Sequence, residues 1–326
     1  MALVRPGEAT LQPIERDLVL PGPGELLLRV HMCGVCRTDL HVVDGELPLA
    51  QFPRVPGHEV VGTVVAAGAG CSRFVVGARV GVPWLHDTCG SCRWCLSARE
   101  NLCETARFTG CTVDGGYAEY VTAREHFCFA LPERYGDEQA APLLCAGLIG
   151  WRALAMAGTA RTLGLYGFGA AGHLVAQVAL QQGRRVYAFT RPGDSAAQAL
   201  ARSLGVHWAG SSDEAPPTPT DGALIFAPVG ALVPVALAHS EPGSTIVCAG
   251  IHMSELPAMP YSLLWQERSV RSVANLTRSD GDTFFAWAAG HALASTTERF
   301  ALAEANTALQ RLRSGRLTGA AVLDCT

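Results

Sequence analysis

The sequence contains no lysine: all 25 of its basic residues are arginine. That absence alone supports no functional conclusion, but with 29 acidic residues the formal net charge is −4. No concentrated positive charge is available to neutralise phosphates, which argues against a nucleic-acid binder. Long apolar runs are also missing. None approaches the ~20 residues needed to span a bilayer. The start, Met1-Ala-Leu-Val-Arg5-Pro6, lacks a charged segment followed by an apolar one, so no secretory signal is expected. These features predict a soluble, cytoplasmic protein. In that reducing compartment the 12 cysteines read as metal ligands and small buried apolar residues, not as disulfides. The sequon Asn275-Leu-Thr277 is then incidental.

At 326 residues the chain exceeds what one hydrophobic core usually serves, so two domains are expected. Up to about residue 145, short β-branched runs such as Glu25–Val30 and Val60–Val65 alternate with Gly and Pro and read as strands of a β-rich domain. Beyond Cys145 the pattern changes. Strands are predicted at 162–168, 185–190, 223–227, 245–249 and 269–273, with helices at 170–182 and 196–204, the rhythm of a doubly wound parallel sheet. The proline-rich piece 214–221 reads as a surface connection. A helix over 302–312 and a strand over 320–324 close the chain.

Four thiols fall within fifteen residues, in Cys89-Gly-Ser-Cys92-Arg-Trp-Cys95 and Cys103. This spacing lets four sulfurs reach ~2.3 Å from one zinc, and four thiolates leave no open position. Such a site holds the fold and catalyses nothing. Further on, Gly167-Phe-Gly169-Ala-Ala-Gly172 lies between a predicted strand and a predicted helix. There the glycines serve a tight turn, the close approach of a pyrophosphate, and helix packing on strand. The helix N-terminus offers free N–H groups to the phosphates. The next strand ends in Phe189-Thr190-Arg191-Pro192, without the usual acid for a ribose 2′-OH. Thr190 and Arg191 suit a 2′-phosphate, which favours NADP(H) and leaves NAD(H) open. In the alternative, Arg191 is a solvated surface residue and Asp194 or a backbone group holds the ribose.

The remaining candidates are dispersed: Cys33-Gly-Val-Cys36-Arg-Thr-Asp-Leu-His41, Gly57-His58-Glu59 and an isolated Cys145. Two Cys and one His can form a catalytic zinc triad with a fourth position open to water or substrate. At this point the chain resembles the zinc-dependent medium-chain alcohol dehydrogenases throughout its length. The run from Cys33 to His41, the Pro56-Gly-His-Glu59 motif before Val-Val-Gly-Thr-Val, the four-cysteine lobe and the dinucleotide turn carry the resemblance.

The resemblance implies a GroES-like β-rich catalytic domain, residues 1–146 and 279–326, and a Rossmann dinucleotide-binding domain, residues 147–278. It implies two zinc ions per chain. Cys36, His58 and Cys145 would ligate the catalytic one, Glu59 would stand beside it, and Asp39 would orient His58. Cys33 is not carried over as a ligand. An alcohol at the open position becomes more acidic, and its alkoxide passes hydride to the NAD(P)+ nicotinamide. Its proton would leave through Thr38 and His41, a hydroxyl and an imidazole able to switch hydrogen-bonding roles. Arg37 would meet the pyrophosphate. Gly250 and Ile251, after the strand ending at Ala249, would lie over the nicotinamide, while His252 is read as structural. Trp84 would line the substrate pocket with Leu47 and Trp151. Such an aromatic wall favours primary or aromatic alcohols and aldehydes over polyols, although both tryptophans also read as packing residues. A homo-oligomer, dimer or tetramer, is expected.

Three other readings compete. A quinone or enone reductase on the same fold works without metal and needs none of Cys36, His58 and Cys145. A zinc-ribbon interaction module leaves the Gly167 turn unexplained. A non-catalytic dinucleotide sensor is the third.

Overall fold

The computed structural model of the protein describes residues 1–5, 7–47, 51–317 and 319–326. The chain divides into two compact units, Met1–Cys145 with Asn275–Thr326, and Ala146–Ala274. Ala146 and residues 275–278 therefore lie in the other unit from the one the sequence indicated.

In the first unit the elements run β1 (Glu25–Val35), α1 (Arg37–Val43), β2 (Glu59–Ala67), β3 (Arg79–Val82), β4 (Leu85–Asp87), α2 (Arg93–Leu96), β5 (Arg107–Phe108), β6 (Tyr120–Arg124), β7 (Phe129–Ala130) and α3 (Asp137–Ala140). The second unit holds α4 (Ala146–Met156), β8 (Thr162–Tyr166), α5 (Ala170–Gln181), β9 (Arg185–Thr190), α6 (Ser195–Ser203), β10 (Trp208–Ser211), β11 (Thr220–Ile225), α7 (Leu232–Ala238), β12 (Ser240–Cys248) and β13 (Ser269–Ser272). The chain then returns to the first unit with α8 (Arg278–Gly290), β14 (Thr297–Ala301), α9 (Ala305–Arg313) and β15 (Ala320–Asp324).

The first unit is built on β1, which pairs antiparallel with β15, β2 and β6. A strand enclosed in this way must be apolar on both faces, and Glu25–Val35 is buried at eight of its eleven positions. A register shift between Val30 and Met32 leaves His31 as the extra residue of a bulge. Because β1 and β2 are antiparallel, the end of one meets the start of the other, and Gly34 stands opposite Glu59. Two short strands, β4 and β5, form a separate ribbon.

In the second unit six parallel strands follow the order β10-β9-β8-β11-β12-β13. The order reverses between β8 and β11, so the turn after β8 lies at the switch point where doubly wound sheets bind ligands. Several elements escaped the sequence reading, among them α4, α8, β10, α7 and β14. β10 is short and includes Ala and Gly, α7 carries Pro234, and β14 is paired only with β15. Proline is tolerated in the first helical turn, where an N–H has no intrahelical partner. The expected helix over 302–312 begins instead at Ala305, after a single 3₁₀ turn. Among the described residues no single helix is long and apolar enough to cross a membrane.

One buried carboxylate organises the loop before β3. Glu125 accepts the backbone N–H groups of Ser72, Arg73 and Phe74 at 3.0, 2.7 and 3.1 Å. Burial alone would raise its carboxyl, but these three donors hold it below the usual range. Glu125→Ala is expected to cost about 2–3 kcal/mol in urea unfolding, since the donors lose a charged partner. A depressed folded pKa contributes stability that is complete above the unfolded value of about 4.3 and is lost as pH falls through the folded one. The gap between wild type and Glu125→Ala should therefore narrow as the pH is lowered below about 4.

Candidate functional site

Cys36 sits where β1 ends and α1 begins. It is the N-cap of α1, with extended backbone, and its sulfur accepts the N–H of Thr38 at 3.3 Å. Asp39, at the third helical position, completes the capping box by accepting the Cys36 N–H at 2.9 Å. The other Asp39 oxygen takes the Gly57 N–H and the His58 Nδ1, both at 3.2 Å. With Nδ1–H donated to Asp39, the imidazole turns its Nε2 lone pair toward Cys36, whose sulfur is 3.2 Å away. Asp39 and His58 are 1% and 0% exposed, so neither exchanges this partner for water.

Two glycines permit the arrangement. Gly57 has φ +98°, and a Cβ there would stand 2.4 Å from the Tyr117 ring and 2.8 Å from the Cys33 sulfur. At Gly34 a Cβ would stand 1.8 Å from Glu59 Oε2, so the carboxylate lies where any other side chain would begin. Cys145 follows the buried turn Ala141–Leu144 and places its sulfur 3.9 Å from that of Cys36. One ligand atom from each of Cys36, His58, Glu59 and Cys145 thus lies within 4.8 Å of the others. Cys33 stays outside this group, with its thiol directed to the Gly34 carbonyl.

The electrostatics show what the cluster needs. The hydrogen bond with Cys145 and burial push the Cys36 thiol well above its ordinary value. For Cys145 the bond with Cys36 works downward, but burial and the nearby Glu59 and Asp39 carry it up. Burial raises the Glu59 carboxyl, and it opposes a charged His58, yet Cys36 and Asp39 outweigh it there and raise the imidazole. Without a cation the two thiols and the Glu59 carboxyl are held in their protonated forms, and a cation among them would favour the charged ones. Two sulfurs bound to one tetrahedral zinc at ~2.3 Å stand ~3.8 Å apart, which the Cys36–Cys145 separation matches. The residues therefore fit a zinc ion.

The second thiol group fits one equally well. Cys89, Cys92, Cys95 and Cys103 all face one point, with sulfur separations of 3.9 Å (Cys89–Cys95), 3.6 Å (Cys92–Cys95) and 3.6 Å (Cys89–Cys103). The N–H groups of Ser91 and Cys92 lower the Cys89 thiol to about 5. Turn N–H groups directed at sulfur favour the thiolate that a metal requires.

Around the first cluster, Trp84 presents its ring edge-on to His58, with centroids 4.9 Å apart. Its other neighbour is Phe108, stacked at 5.3 Å, a residue the sequence reading did not single out. Thr38 and His41 are three positions apart on α1 and share a face. His41 is mostly buried and pairs through Nδ1 with Glu46, which the sequence reading also passed over. Arg37 is exposed on the same helix. Leu47 is half-buried after α1, next to residues 48–50, which lie outside the described set. Trp151 is half-buried on α4 in the second unit.

In the second unit Gly167 has φ +93°, and a Cβ there would come within 2.8 Å of the Ala227 nitrogen. A Cβ on Gly172 would meet the Gly167 carbonyl at 2.4 Å. At Gly169 it would meet nothing within 4 Å, so packing does not require that glycine and its backbone is open to a ligand. Gly169 also N-caps α5 without a side-chain acceptor. These features fit a bound dinucleotide pyrophosphate. Thr190 is buried, and its hydroxyl is engaged with the Gly210 carbonyl and Gln198. Arg191 extends into solvent with 83% of its side chain exposed and reaches Asp194 at 3.5 Å. Asp194 in turn caps α6 through the Ala197 N–H. Gly250 follows β12 half-buried, and Ile251 is exposed.

Comparison with known proteins agrees with this picture. Residues 22–133 match the alcohol dehydrogenase GroES-like domain. The chain is 46% identical over 330 residues to a probable alcohol dehydrogenase, AdhA, of Mycobacterium tuberculosis (strain CDC 1551 / Oshkosh), covering 98% of this chain and 95% of that protein. Among solved structures it superposes on a cinnamyl alcohol dehydrogenase from Sorghum bicolor (L.) Moench with a TM-score of 0.90 at 27% identity, covering 99% and 96% of the two chains. With a cobalt- and zinc-bound thermostable alcohol dehydrogenase from Pyrobaculum aerophilum the TM-score is 0.89 at 28% identity, covering 99% and 98%. Given similarity along nearly its whole length, together with these sites, the chain belongs to the medium-chain alcohol dehydrogenase family.

Proposed function

We propose that the protein is a zinc-dependent, NADP(H)-preferring alcohol dehydrogenase that also works as an aldehyde reductase. The observation that carries this reading is the buried convergence of Cys36, His58, Glu59 and Cys145, with Asp39 bound to the far side of the imidazole. A reductase of double bonds that works without metal has no use for such a group. Cys36, His58 and Cys145 hold one zinc with Glu59 beside it, and Cys89, Cys92, Cys95 and Cys103 hold the other.

Zinc at the buried site supplies Lewis acidity toward an alcohol or carbonyl oxygen, and the nicotinamide supplies the hydride acceptor. The chain's own groups do the rest. Asp39 fixes the tautomer and orientation of His58. The Thr38 hydroxyl takes the proton of the substrate hydroxyl, and His41, oriented by Glu46, carries it toward solvent. Trp84 offers an aromatic wall that suits primary and aromatic alcohols. Backbone N–H groups at the start of α5 receive the pyrophosphate, and Gly250 and Ile251 cover the nicotinamide. Arg191 is the group available to a 2′-phosphate, since the Thr190 hydroxyl is already taken and Asp194 is committed to its cap. A homo-oligomeric, cytoplasmic enzyme belongs to the same reading.

Metal analysis of the purified protein should find two zinc ions per chain. Cys145→Ala should keep one of them and the wild-type far-UV circular dichroism while alcohol oxidation disappears; an active Cys145→Ala enzyme would exclude this ligand. Asp39→Asn should weaken zinc at the buried site by roughly 10- to 100-fold in chelator competition and leave the four-cysteine site unchanged. For the cofactor, Arg191→Ala should raise the NADPH dissociation constant by roughly tenfold or more, the scale of a hydrogen bond to a charged group. NADH binding should stay nearly constant in the same titration, and an equal loss for both cofactors rejects the assignment.

A further inference from the structure

Four thiolates around one ion leave no position for chemistry in the lobe itself. The residues at its base connect it to the buried cluster. The lobe, residues 89–103, is closed by the β4–β5 ribbon, in which Leu85 faces Phe108 and Asp87 faces Arg107. Arg107 Nη2 donates to Asp87 Oδ2 at 2.7 Å, and Asp87 Oδ1 accepts the N–H of Thr88, the residue before Cys89. At the far end of the ribbon the Thr109 N–H reaches the Trp84 carbonyl at 2.9 Å.

The backbone of Phe108 is hydrogen-bonded at both its N–H and its carbonyl. Its N–H donates to Thr112 Oγ1 at 2.6 Å. Its carbonyl accepts the N–H groups of Cys111, Thr112 and Val113 at 3.2, 3.0 and 3.2 Å. These bonds hold the Phe108 backbone, and its ring stacks on Trp84 at 5.3 Å with 19° between the planes. Trp84 meets His58 at 4.9 Å and 77°. The imidazole thus has Asp39 at one nitrogen and an indole at its side, and the indole in turn stacks on Phe108. Offset stacking and edge-on contacts are the arrangements in which aromatic rings attract.

We propose that Phe108 is a positioning residue through which the four-cysteine lobe sets the Trp84 indole against His58. Closure of the lobe fixes the register of the ribbon, the ribbon places Phe108, and Phe108 holds the wall of the substrate site. This rests on the proposed role of the Cys36–His58–Cys145 cluster.

The test uses the full-length zinc enzyme and two readouts. One is the contribution of Trp84 to near-UV circular dichroism, taken as the difference between each protein and its Trp84→Phe counterpart. The other is steady-state kinetics with benzyl alcohol. Phe108→Ala should retain both zinc ions, lose most of the Trp84 signal and raise KM by roughly three- to tenfold, the scale of one aromatic pair, with kcat within about twofold. Phe108→Trp should restore both. Cys103→Ser should release one zinc and show the same change in the Trp84 signal. If Cys103→Ser does not fold, Arg107→Ala serves instead, because it removes the ion pair that joins the two strands at the lobe end of the ribbon and keeps all four thiols. A wild-type Trp84 signal in Phe108→Ala, or an unchanged signal in the lobe variant, overturns the proposal. Failure of the underlying zinc reading is separate, since it would appear as a single zinc ion in the unmutated enzyme.

Discussion

The carboxylate of Asp39 is the contact on which the buried site depends. One of its oxygens closes the N-terminus of α1 on Cys36, and the other holds the Gly57 N–H and the His58 ring. Two pieces of chain are thereby fixed to one side chain: a helix start at Cys36, and the Gly57–His58 segment through both its backbone and its imidazole. The carboxylate is almost fully buried, so each bond is retained in a low-dielectric setting where an unpaired charge is costly. A side chain at Gly57 would strike Tyr117, so the loop has little freedom to relax if Asp39 is withdrawn.

Strand geometry explains why ligands distant in sequence meet. Cys36 follows the last residue of β1, and His58 immediately precedes the first residue of β2. Antiparallel pairing brings those two ends together, with Gly34 opposite Glu59. The absent side chain at Gly34 provides the volume that the Glu59 carboxylate occupies. Cys145 completes the group from a buried turn with no room to swing. The site is therefore a consequence of how the central strand of the first sheet is paired.

What was legible in the sequence follows the range of the interactions. Spacing within fifteen residues exposed the four-cysteine lobe, and a local strand–turn–helix pattern exposed the Gly167 turn, because both are closed by neighbours in the chain. The parallel sheet of the second unit was legible from its βα alternation, whereas its strand order was not. Cys36, His58 and Cys145 lie 22 and 109 residues apart along their hydrogen-bonded pairs, and no periodicity links them; only resemblance brought them together. Phe108 sits in a two-residue strand inside a turn, where no pattern distinguishes it from any other aromatic residue. Glu46 was missed because its pairing with His41 depends on how the chain bends after α1. At Thr190 the identity suited a phosphate, but the strand end turns the hydroxyl inward, a choice of face that residue type alone does not reveal.

The two thiol groups use similar donors in opposite settings, and burial makes the difference between them. In the lobe, N–H groups of the turn bring Cys89 to about 5 while desolvation carries Cys95 up to about 11, so one ready thiolate stands beside a thiol that would release its proton to a metal. In the cluster around Cys36 both thiols and the Glu59 carboxyl are raised, so protons must leave as a cation enters. Four sulfurs fill a tetrahedral sphere, whereas two sulfurs and one imidazole leave a position that a carboxylate or a substrate oxygen can share. The same dry environment that opposes charge on the free donors strengthens every electrostatic contact made there once charge is balanced. Burial thus separates a site suited to holding structure from one suited to chemistry.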